Sequence, residues 1–365
     1  MATAGAESMS DRRIKRARAD SMPSRFPTPA VRDERFYQES GDCVVRVEDT
    51  LFKIHRFLLV RDSPVFARLF TPQSGIAEEG LSDDLPIFLG GDKAAQFRAL
   101  FKYIYAPALE TQAKTIPIEE LQNVVAVGNL AQKYEMQSWQ AWAGLVIEDF
   151  LDQSAGLLSS PDFFAIYELS YKASADEMRR RTVGIWRDRI EAFVLPIPDA
   201  LDAAELHNDR NFLTSLYEIQ LARMPTTTAT GLQPPSMNLS RIAPIHLQRI
   251  FAGYWALSVA WNQFRRDPLP LTRAAHCSQE RHDRACQPAF KRQWEVAASE
   301  TETTCPLTSL CARVCRMKEH LAYARLFEAD DQELCQFTRL SAYMLEELAK
   351  MANAVPRTLE GYFFS

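Results

Sequence analysis

The stretch GDCVVRVEDTLFKIHRFLLVRDSPVF, residues 41–66, decides how the chain is read. Asp42 to Val47 is dense in β-branched side chains, which suit a pleated strand. Glu48-Asp49-Thr50 supplies turn chemistry, and Leu51 to Ile54 alternates again, so a hairpin is expected. His55 to Val60 reads as a short helix. Asp62-Ser63-Pro64 starts a second helix, with a serine cap and proline at the first helical position. Val65, Phe66, Leu69 and Phe70 supply its apolar face.

Downstream, a polar, acidic loop carries Glu78, Glu79, Asp83 and Asp84; the adjacent pair Asp83-Asp84, like Asp330-Asp331, is suited to solvation rather than to sharing a reacting group. Pro86 to Leu89 is short and apolar and reads as one more strand. Gly90-Gly91-Asp92 is expected to cap a helix in which Phe97, Leu100, Phe101 and Ile104 recur at helical spacing. Ile118–Tyr134 and Ser138–Phe150 read as two more amphipathic helices. The first uses Leu121, Val124, Val125 and Leu130; the second uses Trp139, Trp142, Leu145 and Val146. The fold class predicted is α+β, a short sheet flanked by helices, followed by mostly helical regions.

Six fragments in this order carry a resemblance. They are Gly41-Asp42-Cys-Val-Val-x-Val47, Phe52-x-x-His55-Arg56-x-x-Leu59, Ser63-x-x-Phe66-x-x-Leu69-Phe70, Ile87-x-Leu89, Phe97-x-x-Leu100-x-x-Ile104-Tyr105 and Leu130-Ala-x-Lys-Tyr134. Together they resemble the BTB/POZ domain over residues 36–150. The wording RVEDTLFKIHRFLLVRDSPVF followed by EEGLSDDLPIFLGGD is similar to the BTB proteins expanded in mushroom-forming (basidiomycete) fungi. Phe52, Leu59, Phe66, Leu69, Phe97, Leu100 and Ile104 read as core, and His55, Ser63 and Tyr105 accompany them in the motifs. Histidine titrates near neutral pH, yet no nucleophile pattern stands beside His55, so a buried, hydrogen-bonded role is expected.

The resemblance implies a BTB homodimer or heterodimer. In such dimers Asp42, at the start of the first core strand, and Arg56, just after the histidine, would line a charged pocket at the interface. An ordinary structural ion pair is the other reading of the two. Relatives that bind cullin-3 use the helical face after the last strand plus a helical extension, and no motif here is specific to that contact. Some relatives exchange an extra N-terminal strand between protomers; Phe36-Tyr37 is too short to read as one.

Around this module the chain divides by composition. Residues 1–35 hold Pro23, Pro27 and Pro29 without apolar periodicity and read as a disordered basic tail. Arg12, Arg13, Lys15, Arg16 and Arg18 fall within seven positions there, as a nuclear localisation signal or a solvated arm would. Residues 151–225 read as a helical extension with Phe163, Phe164, Ile166 and Tyr167, continuing through Met178–Ile190. Residues 226–240 read as a linker, and 241–365 as a helical C-terminal region whose strip Ile250–Trp261 reads first as a buried helix and second as a partner groove.

Bulk properties narrow the function classes. The 365 residues carry a net charge of −5, which disfavours general adhesion to nucleic acid. Only 13 are glycine, which disfavours phosphate-cradling loops and fits a helix-rich chain. No stretch approaches the about 20 apolar residues of a membrane span, and the first residues lack the apolar core of a secretory leader. An intracellular protein of the nucleus, the cytoplasm or both is expected, with free thiols or a metal site among its seven cysteines rather than a disulfide framework.

Metal chemistry has one candidate region. His276, Cys277, His282, Cys286, Cys305, Cys311, Cys315 and His320 fall within 276–320. His282-x3-Cys286 and Cys311-x3-Cys315 each place two ligands on one helical face, a candidate structural zinc site. Cys286, Phe290 and Trp294 at i, i+4 and i+8 equally describe one packed face. No nucleophile elbow, phosphate loop, dinucleotide fingerprint or H-E-x-x-H occurs. The expectation is a non-enzymatic interaction protein, a cullin-3 ubiquitin ligase substrate adaptor or a nuclear scaffold or transcriptional regulator acting by dimerisation. A metal-dependent enzyme in 241–365 is the more distant alternative.

Overall fold

The computed structural model describes residues 29–70, 79–112, 114, 116–223, 241–271, 273, 275, 277–323 and 363–364. The expected tail up to residue 28, the linker and Glu78 lie outside the described residues. The chain divides into two compact units, residues 1–143 and 144–365. The expected boundary at 150 therefore falls seven residues past the division.

The first unit is built on strands β1 (Val31–Tyr37), β2 (Cys43–Val47), β3 (Thr50–Ile54) and β4 (Ile87–Phe88), in the spatial order β1-β3-β2-β4. β2 and β3 form the expected antiparallel hairpin, with Cys43 opposite Ile54 and Val47 opposite Thr50. All five residues of β2 are buried, Arg46 included, whose guanidinium donates to the Glu48 carbonyl and to Asp49. β1 and β4 pair parallel on the outer sides. Gly41 is required because a Cβ there would stand 2.9 Å from the Ile54 backbone nitrogen.

β1 corrects the expectation that order begins at residue 36. Its residues are mostly charged and outward-facing, so no apolar period marks it. Specific contacts hold it instead. Phe36 is buried, 5.7 Å from Phe101 between ring centroids. Arg98 pairs with Asp33 at 2.6 Å. Asp83 accepts from Arg32 at 2.7 Å and from the Tyr37 hydroxyl, so it is engaged rather than merely solvated.

Helices α1 (Arg56–Val60), α2 (Pro64–Leu69), α3 (Ala94–Ile104), α4 (Leu121–Lys133) and α5 (Gln137–Gln153) follow their sequence signals closely. A 3-10 turn at Ile118–Glu120 leads into α4. Phe52, Leu59, Phe66, Phe97 and Leu100 are fully buried. The expected core residue Leu69 is not, being 44% exposed at the last residue of the short α2, and Leu145, expected on the apolar face of α5, is 62% exposed. Ile104 is half-buried.

The start of α3 also differs from expectation. Its cap residue is Lys93, and Glu48 from the hairpin turn accepts the Ala94 N–H at 2.9 Å and the Lys93 ammonium at 3.0 Å. Asp92 turns inward, where Lys133 and the Tyr134 hydroxyl reach it at 2.7 and 2.5 Å. A buried carboxylate needs such partners more than a helix end needs that carboxylate.

The second unit contains α6 (Ser160–Lys172), α7 (Asp176–Glu191), α8 (Pro198–Leu206) and α9 (Arg210–Ala222). On α7, Met178, Thr182, Trp186 and Ile190 are buried at successive four-residue steps, one stripe against the core. Trp186 stacks on Phe163 at 5.7 Å. Then come α10 (Pro244–Arg266), α11 (Gln279–Arg281), a π-helical turn at His282–Cys286, α12 (Gln287–Thr304) and α13 (Leu310–Tyr323). The strip Ile250–Trp261 lies on α10 but is buried on one face only, through Ile250, Gly253, Leu257 and Trp261. Trp255 is 72% exposed, and Phe251 and Val259 are also exposed. A Cβ at Gly253 would collide with the Phe363 ring, at 2.2 Å.

Candidate interaction site

Asp42 enters β2 and Arg56 opens α1. His55, the cap residue of α1, makes no side-chain cap bond, so the helix start needs another acceptor. Asp42 supplies it: Oδ1 accepts the Arg56 backbone N–H at 2.7 Å. The Arg56 guanidinium donates to the Asp42 backbone carbonyl at 3.4 Å and lies 6.0 Å from the Phe70 ring centroid. The two residues are thus brought together, through cap and carbonyl rather than a carboxylate–guanidinium pair. Arg56 Nε is buried without a hydrogen-bond partner among the described residues. Beside them, burial pushes the Cys43 thiol up to about 11, so it stays neutral at ordinary pH.

The His55 ring and backbone are held by hydrogen bonds. Tyr105 Oη accepts the His55 backbone N–H at 3.0 Å and lies 3.0 Å from His55 Nδ1. Ser40 Oγ stands 3.3 Å from Nε2. With the phenol donating to Nδ1, the ring proton is assigned to Nε2 facing Ser40. Both ring nitrogens are occupied, which fits the expected hydrogen-bonded role; His55 and Tyr105 are half-buried rather than fully inside. Ser63 caps α2 as expected, accepting from Phe66 N–H at 3.0 Å while donating to the Tyr134 carbonyl at 2.5 Å. It thereby ties α2 to the end of α4.

What the arrangement presents is a short helix end, one acidic and one basic side chain, and Phe57, 66% exposed on α1. The family model of the BTB/POZ domain matches residues 34–153. The chain carries a BTB/POZ domain. Comparison with curated proteins gives no match.

Within the BTB/POZ domain, Asp42, His55, Arg56 and Ser63 fall at the starts of α1 and α2, and Tyr105 reaches His55 from the end of α3. The sequence does not reveal the distant contacts of Asp33, Glu48 and Asp83, three carboxylates that fix β1, the hairpin turn and the start of α3. Each acts on a residue more than 40 positions away, so no local spacing could reveal it.

Outside the BTB/POZ domain, Cys277, His282 and Cys286 form a buried group whose ligand atoms lie within 4.8 Å of one another. Two of the four expected ligands, His282 and Cys286, belong to it. Cys315 is exposed and not part of it, and the Cys311 side chain and His276 lie outside the described residues. Cys277 joins instead, brought in by the segment between α10 and α11. Cys286, Phe290 and Trp294 are buried on one face, as expected. Among the described residues no helix is long and apolar enough to cross a membrane.

Proposed function

We propose that this chain is a non-enzymatic interaction protein whose BTB/POZ domain pairs with a second BTB domain, its own copy first. The match over residues 34–153 carries the reading, because that domain is a protein-interaction module. Exposed Phe57 and Leu69 on the first two helices support it, since apolar side chains so placed gain by being covered. Asp42 and Arg56 are the residues assigned to the partner-facing pocket. The wording of residues 46–92 supports placing the chain among the BTB proteins expanded in mushroom-forming fungi.

The finer role proposed is substrate adaptor for a cullin-3 ubiquitin ligase, with α6–α9 as the helical extension beyond the domain. Affinity purification of the full chain from its own cells, compared with a chain lacking residues 36–150, tests it. Recovery of a cullin that depends on 36–150 selects the adaptor. Recovery of chromatin proteins without cullin selects the nuclear scaffold, for which the basic run Arg12–Arg18 would be the import signal. Partners that are unchanged by the deletion overturn both.

A further inference from the structure

Cys277, His282 and Cys286 come together from a loop and a π-helical turn, in a part of the chain that the BTB/POZ match does not cover. All three are buried. The two sulfurs are 3.9 Å apart, too far for a disulfide bond of about 2.05 Å. That separation is the edge of a zinc tetrahedron: two thiolates each about 2.3 Å from the metal stand about 3.8 Å from one another. His282 Nε2 lies 3.2 Å from the Leu271 carbonyl, so Nε2 carries the proton and the lone pair sits on Nδ1. A backbone carbonyl holding the remote ring nitrogen is the usual support of a metal-bound histidine. His282 and Cys286 span one π-turn, closed by the Gln287 N–H to the His282 carbonyl, an insertion that recurs at functional sites.

We propose that Cys277, His282 and Cys286 bind a zinc ion that clamps the segment leading from α10 to the start of α12. Two sulfurs and one imidazole select a borderline-soft cation over magnesium or calcium. The cysteines bind as thiolates and release their two protons to solvent. Water completes four-coordination in the simplest case. The clamp would fix the π-turn and hold Cys286 above Phe290 and Trp294, joining metal and packed face in one structure.

The full chain, purified under reducing conditions from zinc-supplemented cells, tests this by metal analysis. About one zinc per chain is expected, falling below about half in Cys277→Ser and in Cys286→Ser but retained in Cys315→Ser. Should either of the first two variants fail to fold, cobalt titration of the unaltered chain gives a second readout. A thiolate-to-cobalt charge-transfer band, abolished by added zinc, is expected. A reduced chain that takes up neither metal overturns the site. So does full zinc retention by Cys277→Ser, loss of zinc in Cys315→Ser, or a Cys277–Cys286 disulfide found by mass spectrometry of the unreduced chain.

Discussion

Ser63 and Leu69 sit six residues apart in one motif, and their environments give them opposite weights. Ser63 is buried and makes two hydrogen bonds, one to the helix it caps and one to the Tyr134 carbonyl. Ser63→Ala removes the cap and leaves that buried carbonyl without its donor, costing about 2 kcal/mol. Leu69→Ala, at an exposed helix end, costs under about 0.5 kcal/mol. Hydrogen exchange of the β2 and β3 amides in the full chain measures both, because those strands open only with the unit. Equal losses in the two variants would contradict the assignment.

A second residue sets a pH response. Burial holds the His246 imidazole below its ordinary 6.5, against the opposing pull of Glu205 and Asp202, with Arg249 acting in the same direction as burial. Its Nδ1 lies 2.8 Å from the Tyr217 hydroxyl. The unfolded chain binds a proton that folded His246 refuses, so stability falls as pH drops from 6.5 toward the lowered folded value. Melting of the full chain between about pH 7.5 and 5.5 should show this slope, and His246→Gln should flatten it. An identical slope in the variant would contradict the role of burial at this position.

Elements were legible where one period or one cap decides them. The β2–β3 hairpin, the Ser63 cap and the helical spacing of Phe97, Leu100 and Phe101 are local patterns, and they hold. What the sequence hides is decided at a distance. β1 has no apolar alternation, because Asp33, Phe36, Tyr37 and Arg32 meet partners on α3 and in the 79–85 loop. The face of α10 differs from expectation for the same reason: a run of apolar residues does not say how much of it a neighbour covers. Asp42 and Arg56 came from the resemblance, and no spacing alone shows that the carboxylate caps α1. Phe36→Ala empties a buried ring from the β1–α3 contact and should cost about 3 kcal/mol. Faster exchange of the β1 and β3 amides is the readout; unchanged exchange would mean that β1 is dispensable to the sheet.

At the scale of the whole molecule, one unit carries the BTB/POZ match and the other is helical, with a buried cysteine–histidine group of its own. The first unit offers contact chemistry: a capped helix end, two charged side chains and exposed Phe57 and Leu69. Under the proposed self-pairing the same face of two copies would meet about a closed two-fold axis. Asp42→Asn keeps an oxygen to cap α1 while removing the charge, so with Arg56→Ala it tests the pocket with the helix start retained. Sedimentation equilibrium of the full chain at roughly tens of micromolar, where a standard-sized interface is populated, reads the outcome. A dimer that the Asp42→Asn, Arg56→Ala double variant converts to monomer is the expected result; a clean monomer of the unaltered chain, or a dimer indifferent to both substitutions, would contradict pairing through this face.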